Sequence, residues 1–274
     1  MSLKLTYLRK SPLSIGKSTF AKSIKFPDKN LIYTNSLSVK FELHFDQYLM
    51  RNIYLYDIPE KNTFQHIRKK LKKRSPVIFD CGANIGLYSL NLAKLYPNAQ
   101  IHSFEPLTYN FEIFKNNITL NSFNSIVANQ LGVGSKNEEL DIKFGAKKSG
   151  ASLYENDFNN EGSETIKITT IDNYCTQNNI SEIDLIKIDI EGAEMEALRG
   201  AETTLKKSKS CIIVAEVIEQ HLKAAKSSTK EVFEFLENLG FKAFLPKSWP
   251  QGLKEVNHKE FPEDYLDNVF FIKG

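Results

Sequence analysis

The sequence predicts an α/β protein built on a doubly wound, mostly parallel sheet, with an antiparallel C-terminal strand and a β-rich N-terminal extension. Two observations predict it. From Ser75 onward, short apolar runs alternate with helical stretches, the pattern of a parallel sheet covered on both faces. Ahead of Ser75 the texture differs, with short runs in which aromatic and branched residues alternate with polar ones. The chain therefore divides into an extension, residues 1–75, and a larger domain, residues 76–274.

Within the extension, residues 30–39, 40–49 and 52–58 read as strands. Residues 59–71 read as a helix running into the basic cluster Arg68 to Arg74, where cations suit the negative pole of the helix dipole. Residues 77–79 form a strand, 86–96 a helix stopped by Pro97, 101–104 a second strand, 108–121 a helix and 125–133 a third strand. Residues 140–144 and 166–171 read as strands that extend the sheet edge or form a flap around a Gly-, Ser- and Asn-rich stretch at 145–162. The fourth strand is 183–190, followed by a helix over 193–207, a fifth strand at 211–217 and a helix at 229–239 ended by Gly240. Two β-type runs, 241–245 and 268–273, close the chain around a loop holding Trp249.

Composition excludes several classes. Of 274 residues, 41% are hydrophobic and 25% charged, which rules out a disordered chain, a collagen-like repeat or a disulfide miniprotein. Lys and Arg total 36 against 33 acidic residues, and a net +3 is too weak to imply a nucleic-acid partner. The three cysteines, Cys81, Cys175 and Cys211, form no metal-binding pair, and Cys81 and Cys211 sit in apolar runs as small hydrophobes. Residues 1–10 lack the apolar core of a signal peptide and no run reaches the length of a membrane span, so a cytoplasmic location is expected. Residues 11–18 fall one glycine short of a phosphate-binding loop: Ser11 stands in place of the first Gly, and Pro12 stiffens the turn.

The chemistry concentrates in three motifs. Val77-Ile78-Phe79-Asp80-Cys81-Gly82-Ala83-Asn84-Ile85-Gly86 carries a strand through a glycine turn into a helix. Its spacing is not that of a dinucleotide fingerprint, and the preceding Asp80 suits a cationic or hydroxyl-rich ligand rather than a phosphate. Glu105 ends the next strand, where a carboxylate in a Rossmann-like sheet accepts hydrogen bonds from ribose hydroxyls. The run Lys187-Ile188-Asp189-Ile190-Glu191-Gly192-Ala193-Glu194 puts Lys187, Asp189 and Glu191 at period two on one face of the fourth strand, charges that are out of place in a buried parallel strand.

The first two motifs resemble those of S-adenosylmethionine-dependent methyltransferases. With Thr169-Thr170-Ile171-Asp172 and the Lys187–Glu194 run added, the chain from about residue 30 resembles the FkbM family of methyltransferases. That resemblance implies S-adenosylmethionine as cofactor and methyl transfer to a hydroxyl of a glycan or small metabolite. An enzyme acting on RNA or protein, or a non-catalytic cofactor-binding partner protein, is the rival class. By the same resemblance, Asp80, Gly82, Asn84 and Gly86 would hold the amino-acid end of the cofactor, and Glu105 the ribose. Pro106 and Gly132 would flank the adenine, and Asp189 would also face the cofactor. Asp189, Glu191, Glu216 and His221 are candidates for a general base, and Lys187 for a group that holds them or stabilises an alkoxide. No metal is assigned, although carboxylates after the fourth and fifth strands also suit a divalent ion that orients a substrate oxygen. The acceptor pocket is expected to draw on the extension, residues 145–162 and the loop around Trp249.

Overall fold

A computed structural model describes residues 24–144, 162–262 and 264–274. Strands β1 (Leu31–Thr34) and β2 (Lys40–Leu43) form an antiparallel hairpin, followed by α1 (Tyr48–Tyr56) and α2 (Lys61–Lys70). The larger part then runs β3 (Val77–Cys81), α3 (Leu87–Leu95), β4 (Gln100–Phe104), α4 (Thr108–Asn121), β5 (Ile126–Asn129), β6 (Gly132–Val133), β7 (Glu138–Phe144) and β8 (Gly162–Thr169). It continues with α5 (Ile171–Gln177), β9 (Leu185–Ile188), α6 (Glu194–Arg199), α7 (Glu202–Lys207), β10 (Cys211–Glu216), α8 (Glu219–Ala224) and α9 (Thr229–Asn238). The end of the chain is β11 (Lys242–Pro246), β12 (Leu253–Val256) and β13 (Asn268–Lys273).

The central sheet has the order β12-β11-β13-β10-β9-β3-β4-β5. Its five central-to-edge strands β10, β9, β3, β4 and β5 are parallel, whereas β13 pairs antiparallel with β10 and with β11. The winding reverses between β3 and β9, because β4 and β5 follow β3 on one side and β10 follows β9 on the other. Such a reversal opens a crevice at the carboxyl ends of the strands.

Successive residues of each strand feed two cores. Phe79, Ile186, Ile213 and Phe271 point to one face, where they pack with Met195, Leu198, Val232 and Phe233. Ile78, Leu185, Val214 and Phe270 point to the other, against Leu90, Leu92 and residues of the extension. Phe41, Leu43, Met50, Ile53, Phe64 and Ile67 all belong to that second core. Full burial of such side chains contributes about 1.5–3 kcal/mol each, so the extension is tied to the sheet by substantial apolar burial. Helix α2 buries Phe64 and Ile67 one turn apart and ends on Arg68, Lys69 and Lys70, as the charge pattern predicts. Cys81, Cys175 and Cys211 are all buried free thiols.

Several boundaries differ from the sequence expectations for identifiable reasons. Residues 52–58 are not a strand: 52–56 belong to α1, which buries Met50 and Ile53 one turn apart in the sheet core while Leu55 packs separately with Ile24 and Phe26. The expected third strand, 125–133, is two strands, because the chain leaves the central sheet after Asn129 and β6 joins a separate sheet of order β6-β8-β7. Gly132 packs closely there: it pairs with Ile168 of β8, and a Cβ on it would lie 2.4 Å from Ile168 Cδ1. The expected strand at 166–171 ends at Thr169, and the Thr170 hydroxyl caps α5 by accepting from the Asn173 amide at 3.0 Å. The fourth strand stops at Ile188, so Asp189 and Glu191 lie beyond the pleat that was expected to align them. The helix expected over 193–207 breaks at Gly200, where a Cβ would lie 2.0 Å from the Gly134 carbonyl oxygen. The closing loop holds an additional strand, β12. Residues 1–23, with the phosphate-loop look-alike, and residues 145–161 lie outside the described residues.

Candidate active site

A cavity of about 1000 Å³ opens at the carboxyl edge of the sheet, over the β3–β9 reversal. One end is lined by the glycine turn, Glu105, Pro106, Gly132 and the apolar side chains Leu107, Ile142, Ile166 and Ile168. The other is lined by Lys187, Asp189, Glu191 and Glu216, with Glu60 and Tyr88 beside Lys187; Tyr48, Asn52 and Trp249 also line the cavity.

The glycine turn is shaped by close approach. Gly82 has φ +85°, and a Cβ there would lie 1.9 Å from the Asp189 carbonyl oxygen, so no side chain fits between the turn and the backbone just after β9. The Gly82 and Ala83 amides both donate to the Phe104 carbonyl at 2.9 Å, which fixes the turn against β4. Asn84, also at positive φ, donates its amide to Glu105 Oε2 at 2.9 Å, while its own side-chain oxygen is buried without a hydrogen-bond partner. Gly86 does a different job. It does not line the cavity, and a Cβ there would lie 2.5 Å from the Phe114 ring, so its smallness serves helix packing.

Two acids at this end are almost completely buried. Asp80 accepts from the Ser89 amide at 3.0 Å and from the Ser89 hydroxyl. Burial pushes its pKa up to about 6 against the opposing pull of Ser89 and Lys187. Glu105 accepts from the amides of Leu107 at 3.0 Å and Asn84 at 2.9 Å, and burial pushes it up to about 7 despite those bonds. A carboxylate offers about four lone-pair sites, so each acid retains acceptor capacity toward the cavity.

At the other end, Lys187, itself fully buried, projects from β9 into a polar cluster. Its ammonium bonds Asp189 Oδ2 at 3.2 Å and Asn268 Oδ1 at 2.9 Å and stands 5.0 Å above the Tyr88 ring. Burial alone would lower its pKa, but Asp189, Glu60 and Glu216 outweigh that and raise it, so the cation is retained. Glu60 accepts from the Tyr88 hydroxyl and the Asn268 amide group, linking the extension to β13 through this cluster. Glu216, at the end of β10, is pushed up to about 8, first by burial and then by the charge of Asp189. Burial, then Asp189, likewise raises Glu191, which sits at φ +55° in the turn after β9. His221 Nδ1 in α8 lies 3.8 Å from Glu191, but His221 does not line the cavity.

The structure thus brings Asp80, Gly82, Asn84, Glu105, Pro106, Gly132, Lys187, Asp189, Glu191 and Glu216 to one cavity and leaves Gly86 and His221 beside it. Glu60, Tyr88 and Asn268 are neighbours that sequence reasoning missed. Asn268 was findable in principle, since it starts an antiparallel strand whose first residue pairs with Glu216. Glu60 and Tyr88 belong to no motif.

This end-to-end chemistry fits a cationic cofactor bearing hydroxyls. The cradle left by Gly82, the unpartnered buried oxygen of Asn84 and the acids Asp80 and Glu105 are acceptor-rich, as a sulfonium, an ammonium and a ribose require. The apolar wall of Leu107, Ile142, Ile166 and Ile168 suits a purine ring.

Comparison with known proteins agrees. The family model for the methyltransferase FkbM domain matches residues 80–243. Methyltransferase 1 of Beauveria bassiana (strain ARSEF 2860) is 29% identical over 142 residues, covering 45% of this chain and 57% of its own length. Methyltransferase sdnD of Sordaria araneosa is 29% identical over 158 residues, covering 47% of this chain and 61% of its own length. This chain therefore spans about three fifths of the length of these two relatives. The 2-O-methyltransferase NoeI of Sinorhizobium fredii (strain NBRC 101917 / NGR234) is 23% identical over 192 residues, covering 65% of this chain and 77% of its own. Among solved structures, precorrin-6y C5,15-methyltransferase from Geobacter metallireducens GS-15 overlaps with a TM-score of 0.42 at 16% identity, covering 79% of this chain and 90% of that one.

Proposed function

The chain belongs to the FkbM methyltransferase family, and on that premise we propose that it moves a methyl group from S-adenosylmethionine to a hydroxyl oxygen of a glycan or small metabolite. S-adenosylmethionine is the cofactor of this family's fold, and when bound it supplies an electrophilic methyl group. The observation that carries the reading is the continuity of one cavity from the Gly82–Glu105 end to the Lys187–Asp189 pair.

The chain's own contribution is position and charge. Glu105 accepts hydrogen bonds from the ribose, Asp80 and Asn84 face the cationic amino-acid portion, and Pro106 and Gly132 border the base. Asp189, 35% exposed at its side chain and paired with Lys187, accepts the proton of the acceptor hydroxyl as its oxygen forms the new bond to carbon. Lys187 holds that carboxylate in place and offsets negative charge developing on the oxygen. Placement of the two reactants in line supplies much of the rate. The described part of the extension acts as a cap on the domain at 76–274: Tyr48, Asn52, Glu60 and Lys61 line the cavity, as does Trp249 from the closing loop.

Support for oxygen as the acceptor comes from the carboxylate-rich acceptor end and from the likeness to a 2-O-methyltransferase. Incubation with S-adenosylmethionine and a panel of glycans and hydroxylated metabolites, read by mass spectrometry with fragmentation, tests it. Methylation at a hydroxyl is expected; methylation confined to nitrogen or carbon would overturn the reading.

A further inference from the structure

Three side chains next to the Lys187–Asp189 pair have no part in the scheme above. Glu191 comes from the turn after β9, Glu216 from the end of β10 and His221 from α8, yet each offers a ligand atom and all three atoms lie within 4.8 Å of one another. The turn and the helix meet closely: a Cβ on Gly192 would lie 2.7 Å from the His221 carbonyl oxygen. A fourth acid, Glu194, begins the helix that follows this turn. Glu194 is 2% exposed, and its Oε1 accepts from the amides of Ile190 at 3.2 Å and Gly192 at 3.1 Å. Its Oε2 is buried without a hydrogen-bond partner, and its charge bears on Glu216 together with those of Asp189 and Glu191. A buried carboxylate oxygen with no hydrogen-bond partner is costly while charged, and either a proton or a nearby cation relieves that cost.

We propose that Glu191, Glu216 and His221 bind a divalent cation at the acceptor end of the cavity, with Glu194 orienting the turn that carries Glu191. Two carboxylate oxygens and one imidazole nitrogen suit Mn²⁺ better than Mg²⁺, which prefers carboxylates and water to imidazole. Three protein ligands leave coordination positions open, and two of the three residues, Glu191 and Glu216, line the cavity. The ion would take one or two oxygens of the acceptor there, which favours an acceptor with neighbouring oxygens. This role rests on the hydroxyl-methylation reading; the binding of the ion does not.

The test is a Mn²⁺ titration of the full chain, stripped of metal by chelation, followed by electron paramagnetic resonance, with S-adenosylhomocysteine calorimetry on the same preparation. Saturable Mn²⁺ binding is expected, weakened about tenfold or more by Glu191→Gln and by His221→Gln, with circular dichroism confirming that each variant folds. Both substitutions lie in a turn or a short surface helix, so one folded variant suffices. No saturable binding, or binding unchanged in the folded variants, overturns the site. Native Mn²⁺ binding with no S-adenosylhomocysteine binding supports the metal site and instead refutes the cofactor reading.

Discussion

Replacing Glu105 with Gln separates what this carboxyl does for the fold from what it does for the cofactor. The side chain is 4% exposed, and burial holds its pKa at about 7 against an ordinary 4.5. A shift of that size corresponds to on the order of 3 kcal/mol of pH-dependent stability. Because the folded state binds this proton more tightly than the unfolded state, the contribution is fully present below about pH 4.5 and is lost as pH rises through about 7. Gln has no proton to lose. It also turns an NH₂ toward the amide of Asn84 or Leu107, at a cost of ~1–3 kcal/mol at every pH. Urea unfolding of the ligand-free proteins should show the wild type ahead at about pH 5, and its lead shrinking by roughly 2–3 kcal/mol by about pH 8.5. Affinity for S-adenosylhomocysteine should fall about tenfold or more in the variant, the loss of one hydrogen bond to a charged acceptor. A stability gap that stays constant, or widens with pH, would refute the placement of Glu105 as a buried acid with a raised pKa.

The two turn glycines should respond differently. Gly82→Ala forces a Cβ into the Asp189 carbonyl at φ +85° and should lower the melting temperature by roughly 5–15 °C and abolish S-adenosylhomocysteine binding in calorimetry. Gly86→Ala, which meets the Phe114 ring, should cost similar stability, yet its folded fraction should keep cofactor affinity within about threefold. Lys187→Met removes the cation buried against Asp189 and Glu216 and should destabilise the chain by ~3 kcal/mol at about pH 8.5 and by less at about pH 5, where Glu216 carries a proton; urea unfolding at both values checks it.

How far residues alone disclosed this architecture depends on the physical range of each signal. The strands β3, β4 and β10 and the helices α3, α4 and α9 were legible because each is a local apolar run or periodic stretch with a turn signal beside it. Glu105, Asp80 and Gly82 were legible because strand-end acids and glycine turns report on chain geometry over a few residues. Other features depend on contacts distant in the chain. Residues 52–56 carry both a strand-like and a helical pattern, and burial of Met50 and Ile53 against the sheet decides for helix. The divergence of β5 and β6 goes with the pairing of β6 to β8, more than 30 positions away. The acceptor-end cluster joins Glu60, Tyr88, Lys187 and Asn268 across 208 positions, and the most exposed aromatic at the mouth, Tyr48, comes from the extension. Gly86 shows the opposite failure: a motif position whose glycine answers to Phe114 rather than to a ligand.

The central claim is that the Gly82–Glu105 end of the cavity holds S-adenosylmethionine while the Lys187–Asp189 end receives the acceptor. Isothermal calorimetry of the wild type and Asp189→Asn with S-adenosylhomocysteine, paired with single-turnover methyl transfer to an acceptor found in the panel, tests it most directly. Saturable S-adenosylhomocysteine binding by both proteins, with methyl transfer slowed about a hundredfold or more in the variant, is the result this account predicts. Failure of the wild type to bind S-adenosylhomocysteine, or undiminished transfer by Asp189→Asn, would contradict it.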